Sequence, residues 1–192
     1  NDDTAGIVIE ESGGSSSVTE GGSGDDYTVV LGTEPTGTVT LMFSTSQVTA
    51  TPSVLTFTTV NWDIPQGVII QAIDDLISEG AHTGTVTHTA SGGGYSGATT
   101  ITISINDNDS KEVIILPATV NVTEDGLTDT FTVVLTSQPT GAVSISMDGG
   151  TQATTNSDIV NFTTSNWDTP KTVTVTAIDD GLVEREHLGF IE

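Results

Sequence analysis

One set of residues occurs twice in this chain, and the distance between its copies limits what the chain can fold into. Val18-Thr19-Glu20 returns as Val122-Thr123-Glu124, and Tyr27-Thr28-Val29-Val30-Leu31 as Phe131-Thr132-Val133-Val134-Leu135. Pro35-Thr36-Gly37 returns as Pro139-Thr140-Gly141, and the run from Phe57 through Asn61-Trp62-Asp63 to Pro65 as Phe162 through Asn166-Trp167-Asp168 to Pro170. The offsets are 104 and 105, so the blocks differ by at most a one-residue insertion. Solenoid repeats run about 20–50 residues, so a period this long means a string of whole domains.

Within each copy the periodicity is that of strands. Tyr27, Val29 and Leu31 alternate with Thr28 and Val30; Ile101, Ile103 and Ile105 alternate with Thr100, Thr102 and Ser104. A period of two with β-branched Thr on the wet face marks half-buried antiparallel strands. Helical periodicity is missing. Seven strands are predicted in the first copy, near 5–20 (irregular through the Gly/Ser run 12–17), 26–31, 38–44, 54–60, 67–73, 82–90 and 98–105. Pro35-Thr36-Gly37, Asn61 to Pro65 and Ser91-Gly92-Gly93-Gly94 supply the turns between them. The expected fold is all-β: two tandem immunoglobulin-like Greek-key β-sandwiches, the second lacking its last strands. Trp62 and Trp167 are expected to cap the core beside their turns, with carbohydrate stacking as the alternative.

The expected divisions are a 1–3 tail of a preceding repeat, a first domain over 4–110 and a second over 111–192. Asn1-Asp2-Asp3 is similar to Asn106-Asp107-Asn108-Asp109, and Ile191-Glu192 align with Val86-Thr87 in the sixth strand. A piece of a longer array is the favoured reading. The alternative is a chain whose missing strands are supplied by strand addition, since an open sheet edge invites pairing.

Composition narrows the partners. There are 26 Asp and Glu against three basic residues, Lys111, Lys171 and Arg185, for a formal charge of −23. Nucleic acid and anionic membrane surfaces need clustered cations and are excluded as partners. No apolar run approaches the roughly 18 residues of a membrane span. Cysteine is absent, so disulfides and thiolate-bound zinc are excluded, and metal is the usual substitute staple. Acidity of this kind also serves solubility in brine, but that reading scatters the carboxylates over exposed strand faces.

They are not scattered. In up-and-down connectivity the first, third, fifth and seventh strands end at one pole. The carboxylates after those ends are Glu20, then Asp74, Asp75 and Glu79, then Asp107 and Asp109. The second copy repeats the set with Glu124, Asp179, Asp180 and Glu184, and Asp158 lies at the matching pole. Two like charges about 4 Å apart cost a few kcal/mol at an effective dielectric near 20, and a divalent cation reverses that sign. Carboxylate and carbonyl oxygens without thiolates suit Ca²⁺, which takes six to eight oxygen ligands. Zinc on Glu79 and His82 is the competing idea. His82 and His187 align near the acidic pole and are expected to be surface histidines, while His88 has no counterpart. Asn108-Asp109-Ser110, Asn121-Val122-Thr123 and Asn161-Phe162-Thr163 fit the glycosylation pattern. No nucleophile elbow, phosphate loop or His-Glu-x-x-His motif is present, so no enzyme is expected.

Val-Thr-Glu, then a strand ending Ala72-Ile73-Asp74-Asp75 with Glu79 four residues on, then Ile105-Asn106-Asp107-Asn108-Asp109, together resemble the Calx-β domain. That family includes the calcium-sensing modules of sodium–calcium exchangers and occurs in bacterial surface proteins. The run from Leu55 to Pro65 looks like the bacterial tandem version. The resemblance implies an immunoglobulin-like sandwich binding Ca²⁺ at its distal loops, with Glu20, Asp74, Asp75, Glu79, Asp107 and Asp109, and Glu124, Asp179, Asp180 and Glu184 in the second copy, as ligands. Fewer acids follow the fifth strand than in the exchanger sensors, and Thr49-Ala50-Thr51-Pro52 stands where an Asp is usual; these departures imply fewer or weaker ions. The expected function is a calcium-binding structural or adhesive repeat of a long extracellular, cell-surface bacterial protein. Calcium would stiffen the junction Ser110-Lys111-Glu112, with neighbouring repeats as partners. The alternatives are a glycan-binding module using exposed Trp62 or Tyr95, a spacer for an enzyme elsewhere in the parent chain, or a filament subunit that self-associates by strand exchange.

Overall fold

A computed structural model describes residues 5–182 and 185–192. The chain forms two compact units, one comprising residues up to Asp75 with Glu79–Asn108, the other Leu76–Ser78 with Asp109–Glu192. Each is described by itself. Among the described residues the only helical piece is a single 3₁₀ turn, and no helix is long and apolar enough to cross a membrane.

The first unit is a sandwich of two sheets. One has the order β1 (Ile7–Glu11), β3 (Asp25–Leu31), β7 (Gln66–Ala72), β5 (Val48–Thr51). The other has the order β2 (Ser17–Thr19), β9 (Tyr95–Asn106), β8 (His82–Gly92), β4 (Val39–Ser46), β6 (Val54–Phe57). All pairings are antiparallel except β2 with β9. The alternation read from the sequence sorts the side chains. Tyr27, Val29 and Leu31 of β3 and Val68 and Ile70 of β7 face Val39, Leu41, Phe57, Val86, Ile103 and Ile105 across the layer. Fully burying a side chain of this size contributes about 1.5–3 kcal/mol, so this layer is the main source of stability. Trp62 packs against this core, as expected.

Among the described residues of the first unit, nine strands stand where seven were expected. The first expected strand divides because the 3₁₀ turn Ser12–Gly14, with Gly13 at φ 66°, moves the chain from the β1 sheet to the β2 sheet. The carboxylate of Asp25 fastens that crossing, accepting from Ser12 Oγ at 2.6 Å and from the Ser17 amide at 2.9 Å. The extra strand β5 follows Gln47, a non-glycine residue at φ 60°, and crosses to pair with β7.

The second unit repeats this plan with β10 (Val113–Leu116), β11 (Asp129–Leu135), β15 (Lys171–Ala177) and β13 (Ala153–Thr155) in one sheet. Strands β12 (Val143–Ser146) and β14 (Ile159–Phe162) form the other. Its core of Phe131, Val133, Val160, Phe162, Val173 and Val175 uses positions equivalent to Tyr27, Val29, Leu55, Phe57, Val68 and Ile70. Counterparts of β8 and β9 are not formed within the described residues. Asp148 and Glu192 nevertheless exchange both backbone hydrogen bonds, at 2.9 and 3.0 Å. They occupy the register of Ser44 and Thr87 in the first unit. Ser110, Lys111 and Glu112 are held by Thr136, whose hydroxyl donates to the Ser110 carbonyl and accepts from the Glu112 amide.

Candidate metal centre

Strand alternation explains why a carboxylate is buried at one end of the first unit. Val18 is a core residue, and Glu20, two positions on, inherits the same inward direction. The Glu20 amide donates to the Asn106 carbonyl at 3.0 Å, continuing the β2–β9 pairing past the last strand residue. Glu20 is 3% exposed. Among the described residues its Oε2 has no hydrogen-bond donor. His82 opens β8 opposite Ile105, which places its ring next to Glu20. Glu79 arrives from the β7–β8 loop, and Asp107 follows β9 directly. That loop is pinned to the end of β9 where the Gly80 amide donates to Asp107 Oδ2 at 2.6 Å.

The resulting field is negative. Burial lifts the pKa of Glu20 above the ordinary glutamate value; repulsion from Asp107 adds to this, as do Asp75 and Glu79, while His82 opposes it. His82 Nε2 lies 3.5 Å from Glu20 Oε1 and 3.4 Å from Glu79 Oε2. Its Nδ1 lies 2.9 Å from the Gly80 carbonyl. A buried, donor-free carboxylate oxygen among other carboxylates is costly, and a bound cation would remove that cost. Chemically this group is a hard-oxygen cradle with one imidazole nitrogen at its side.

The structure gathers Glu20, Asp75, Glu79 and Asp107 at this pole of the first unit. Asp74 is exposed, and its Oδ1 accepts from Asn108 Nδ2 at 3.1 Å. Asp109 groups with the second unit, where its carbonyl accepts from Ser78 Oγ at 3.1 Å. In the second unit, no trio of acids and histidines meets in metal-binding geometry among the described residues. Asp179 and Asp180 accept from the amides of Gly181 and Leu182, capping their own turn. Glu124 is half-buried, Asp158 is exposed beside β14, and Glu184 lies outside the described residues.

Two expectations about aromatic and imidazole side chains change, and a third side chain finds its place. His82 is not a free surface histidine but is held between two carboxylates, 18% exposed. Tyr95 is 5% exposed, and its hydroxyl donates to the Thr33 carbonyl at 2.7 Å, so it offers no face to a sugar ring. His88 is fully buried, accepting from Tyr27 Oη at Nε2 (2.8 Å) with Nδ1 facing the Thr99 carbonyl at 3.2 Å. The alternation Gly84, Val86, His88, Ala90 on β8 carried the signal for that burial. Gln47 was not anticipated; its Nε2 donates to Glu79 Oε2 at 3.4 Å, and its carbonyl accepts from the Ile73 amide at 3.0 Å.

No family description matches this chain, and no curated protein matches it. Solved structures similar to it include the CBD12 calcium-binding domains of CALX1.1, at 17% identity over 90% of this chain and 76% of that one, with a TM-score of 0.36. The E. coli chaperone DraB is similar at 8% identity over 78% of this chain and 74% of its own, with a TM-score of 0.42. The CsuC–CsuE chaperone–tip adhesion subunit complex of Acinetobacter baumannii is similar at 8% identity over 93% and 90%, with a TM-score of 0.40. The two-layer sheets, with β1 and β2 divided between them, give the chain an immunoglobulin-like fold.

Proposed function

We propose that the chain is a calcium-binding structural or adhesive repeat of an extracellular bacterial surface protein, with no catalytic role of its own. In the first unit Glu20, Asp75, Glu79 and Asp107 would hold the ion, and its charge would offset their mutual repulsion. The observation that carries this reading is the Glu20 carboxylate, almost fully buried, with no donor to Oε2 among the described residues. Protein side chains at this pole supply acceptors in excess, which is the donor set Ca²⁺ takes. Bound at the end of the sandwich, calcium would also order the connection to a neighbouring repeat.

Calorimetric titration of chelator-treated protein with Ca²⁺ tests this. Binding is expected at about 10⁻⁴–10⁻³ M, the range of extracellular modules, and Glu20→Gln should weaken it. Small-angle scattering of the same samples, with and without chelator, should show a longer and stiffer particle with calcium. Absence of binding heat, or an affinity that Glu20→Gln leaves unchanged, would reject the assignment.

A further inference from the structure

The nitrogen beside the carboxylates has no place in an all-oxygen calcium site, and its tautomer can be read from its surroundings. His82 Nδ1 faces the Gly80 carbonyl at 2.9 Å, and a carbonyl only accepts, so Nδ1 carries the hydrogen. In the neutral ring Nε2 then presents a lone pair. That lone pair is aimed at Glu20 Oε1 and Glu79 Oε2, at 3.5 and 3.4 Å, and the atom is buried with no hydrogen-bond partner among the described residues. In that neutral form three electron-rich atoms converge, and among the described residues Glu20 Oε2 has no donor either.

We propose that Glu20, Glu79 and His82 form a site for a borderline divalent transition ion such as Zn²⁺, bound through His82 Nε2 and the two carboxylates. Metal-binding histidines characteristically donate their other ring N–H to a backbone carbonyl or carboxylate, which fixes the ring, and His82 does so to Gly80. The spacing fits. Tetrahedral Zn²⁺ with bonds of about 2.0–2.1 Å has ligand atoms about 3.3–3.4 Å apart, close to the two separations at Nε2. Ca²⁺ takes oxygen rather than imidazole nitrogen, so the donor type separates the two ions. Among the described residues the second unit does not repeat the site, and His187 Nε2 is hydrogen-bonded to Gln152 Oε1 at 2.7 Å. The proposal rests on the reading of this pole as a cation site, and it makes the site a point of competition between calcium and zinc.

The test is titration of chelator-treated protein with ZnCl₂ by calorimetry, with imidazole ¹⁵N resonances followed by NMR. Wild-type protein should bind one Zn²⁺ with a shift at His82 Nε2, and Ca²⁺ in excess should displace it. His82→Asn should lose about ten- to a hundredfold in Zn²⁺ affinity, keep its Ca²⁺ affinity, and His187→Asn should change neither. Glu79→Gln, at a more exposed side chain, provides a second variant and should also weaken Zn²⁺. Equal Zn²⁺ affinity in wild type and His82→Asn, or an unmoved His82 resonance, would overturn the proposal. Calcium binding without zinc binding defeats this inference alone, whereas zinc binding at His82 without calcium binding supports it and defeats the calcium reading.

Discussion

Glu20→Gln should change the sign of its effect between metal-free and calcium-loaded protein. The substitution preserves side-chain size and replaces a buried charge with an amide that can donate. Glu20 and Glu79 place oxygens within 4.8 Å of one another, and a bare pair at that distance repels by about 3–4 kcal/mol at an effective dielectric near 20. Glu79 is 34% exposed, and His82 in its protonated form offsets part of the repulsion. Solvent screening and that offset reduce the net benefit of neutralising Glu20 to about 1 kcal/mol. With chelator present, the variant's first unit should therefore melt higher than wild type, by about 4–8 °C for a domain of roughly 100 residues. Calcium at ten times its dissociation constant stabilises wild type by about 1.4 kcal/mol through mass action, which is about 6–11 °C on the same scale. The variant should lose most of that gain, so the two melting temperatures converge or cross. A Trp167→Phe background leaves Trp62 as the sole tryptophan, so fluorescence melting reports the first unit. A variant that melts below wild type in chelator and gains as much from calcium would refute the electrostatic account of this pole.

The remaining predictions concern stability. Tyr27→Phe should cost about 1–3 kcal/mol in urea unfolding, because it leaves His88 Nε2 buried without its donor; a cost below about 0.5 kcal/mol would contradict that bond's importance. Burial also holds the His88 pKa below its ordinary value, so the folded state binds fewer protons than the unfolded one. Stability should be complete above the unfolded-state value of about 6.5 and fall as pH drops from there towards the folded pKa; His88→Gln should lose that component of the slope in urea midpoints measured across the range. Asp25 is held below the usual aspartate range by the Ser12 hydroxyl first and then the Ser17 and Asp26 amides, despite some burial. Its contribution is present above the unfolded value and disappears as pH falls through the folded pKa, so Asp25→Asn should cost about 1 kcal/mol at pH 7 and progressively less below pH about 4. Gly21 sits at φ 60°, and a Cβ there would stand 2.8 Å from Asn108 Nδ2 and 3.3 Å from Asp74 Oδ2. Gly21→Ala should therefore destabilise by about 1 kcal/mol or more and shift the Asn108 side-chain amide resonances.

Alternation of apolar residues with threonine, and two copies of one block about 105 residues apart, determined the all-β architecture without any long-range information. Each inward position is a local consequence of the pleat, so Tyr27, Val29 and Leu31 could be assigned to a core from their neighbours alone. In the first unit the placing of Glu20, Glu79 and Asp107 at strand ends was also legible, since strand direction alternates. Tertiary structure decided the rest. Whether a carboxylate is buried depends on what covers it, and Glu20 is buried because β2 lies parallel to β9 with His82 beside it, a pairing between residues more than sixty positions apart. The first expected strand divided at Gly13, and β5 changed sheets after Gln47, because positive φ values at single residues redirect the chain without altering the apolar pattern. His82 and His88 have the same side chain and lie six residues apart on one strand. One was placed between two carboxylates and the other in a dry core beside Tyr27, because Glu20 reaches His82 and Tyr27 reaches His88 from strands distant in sequence.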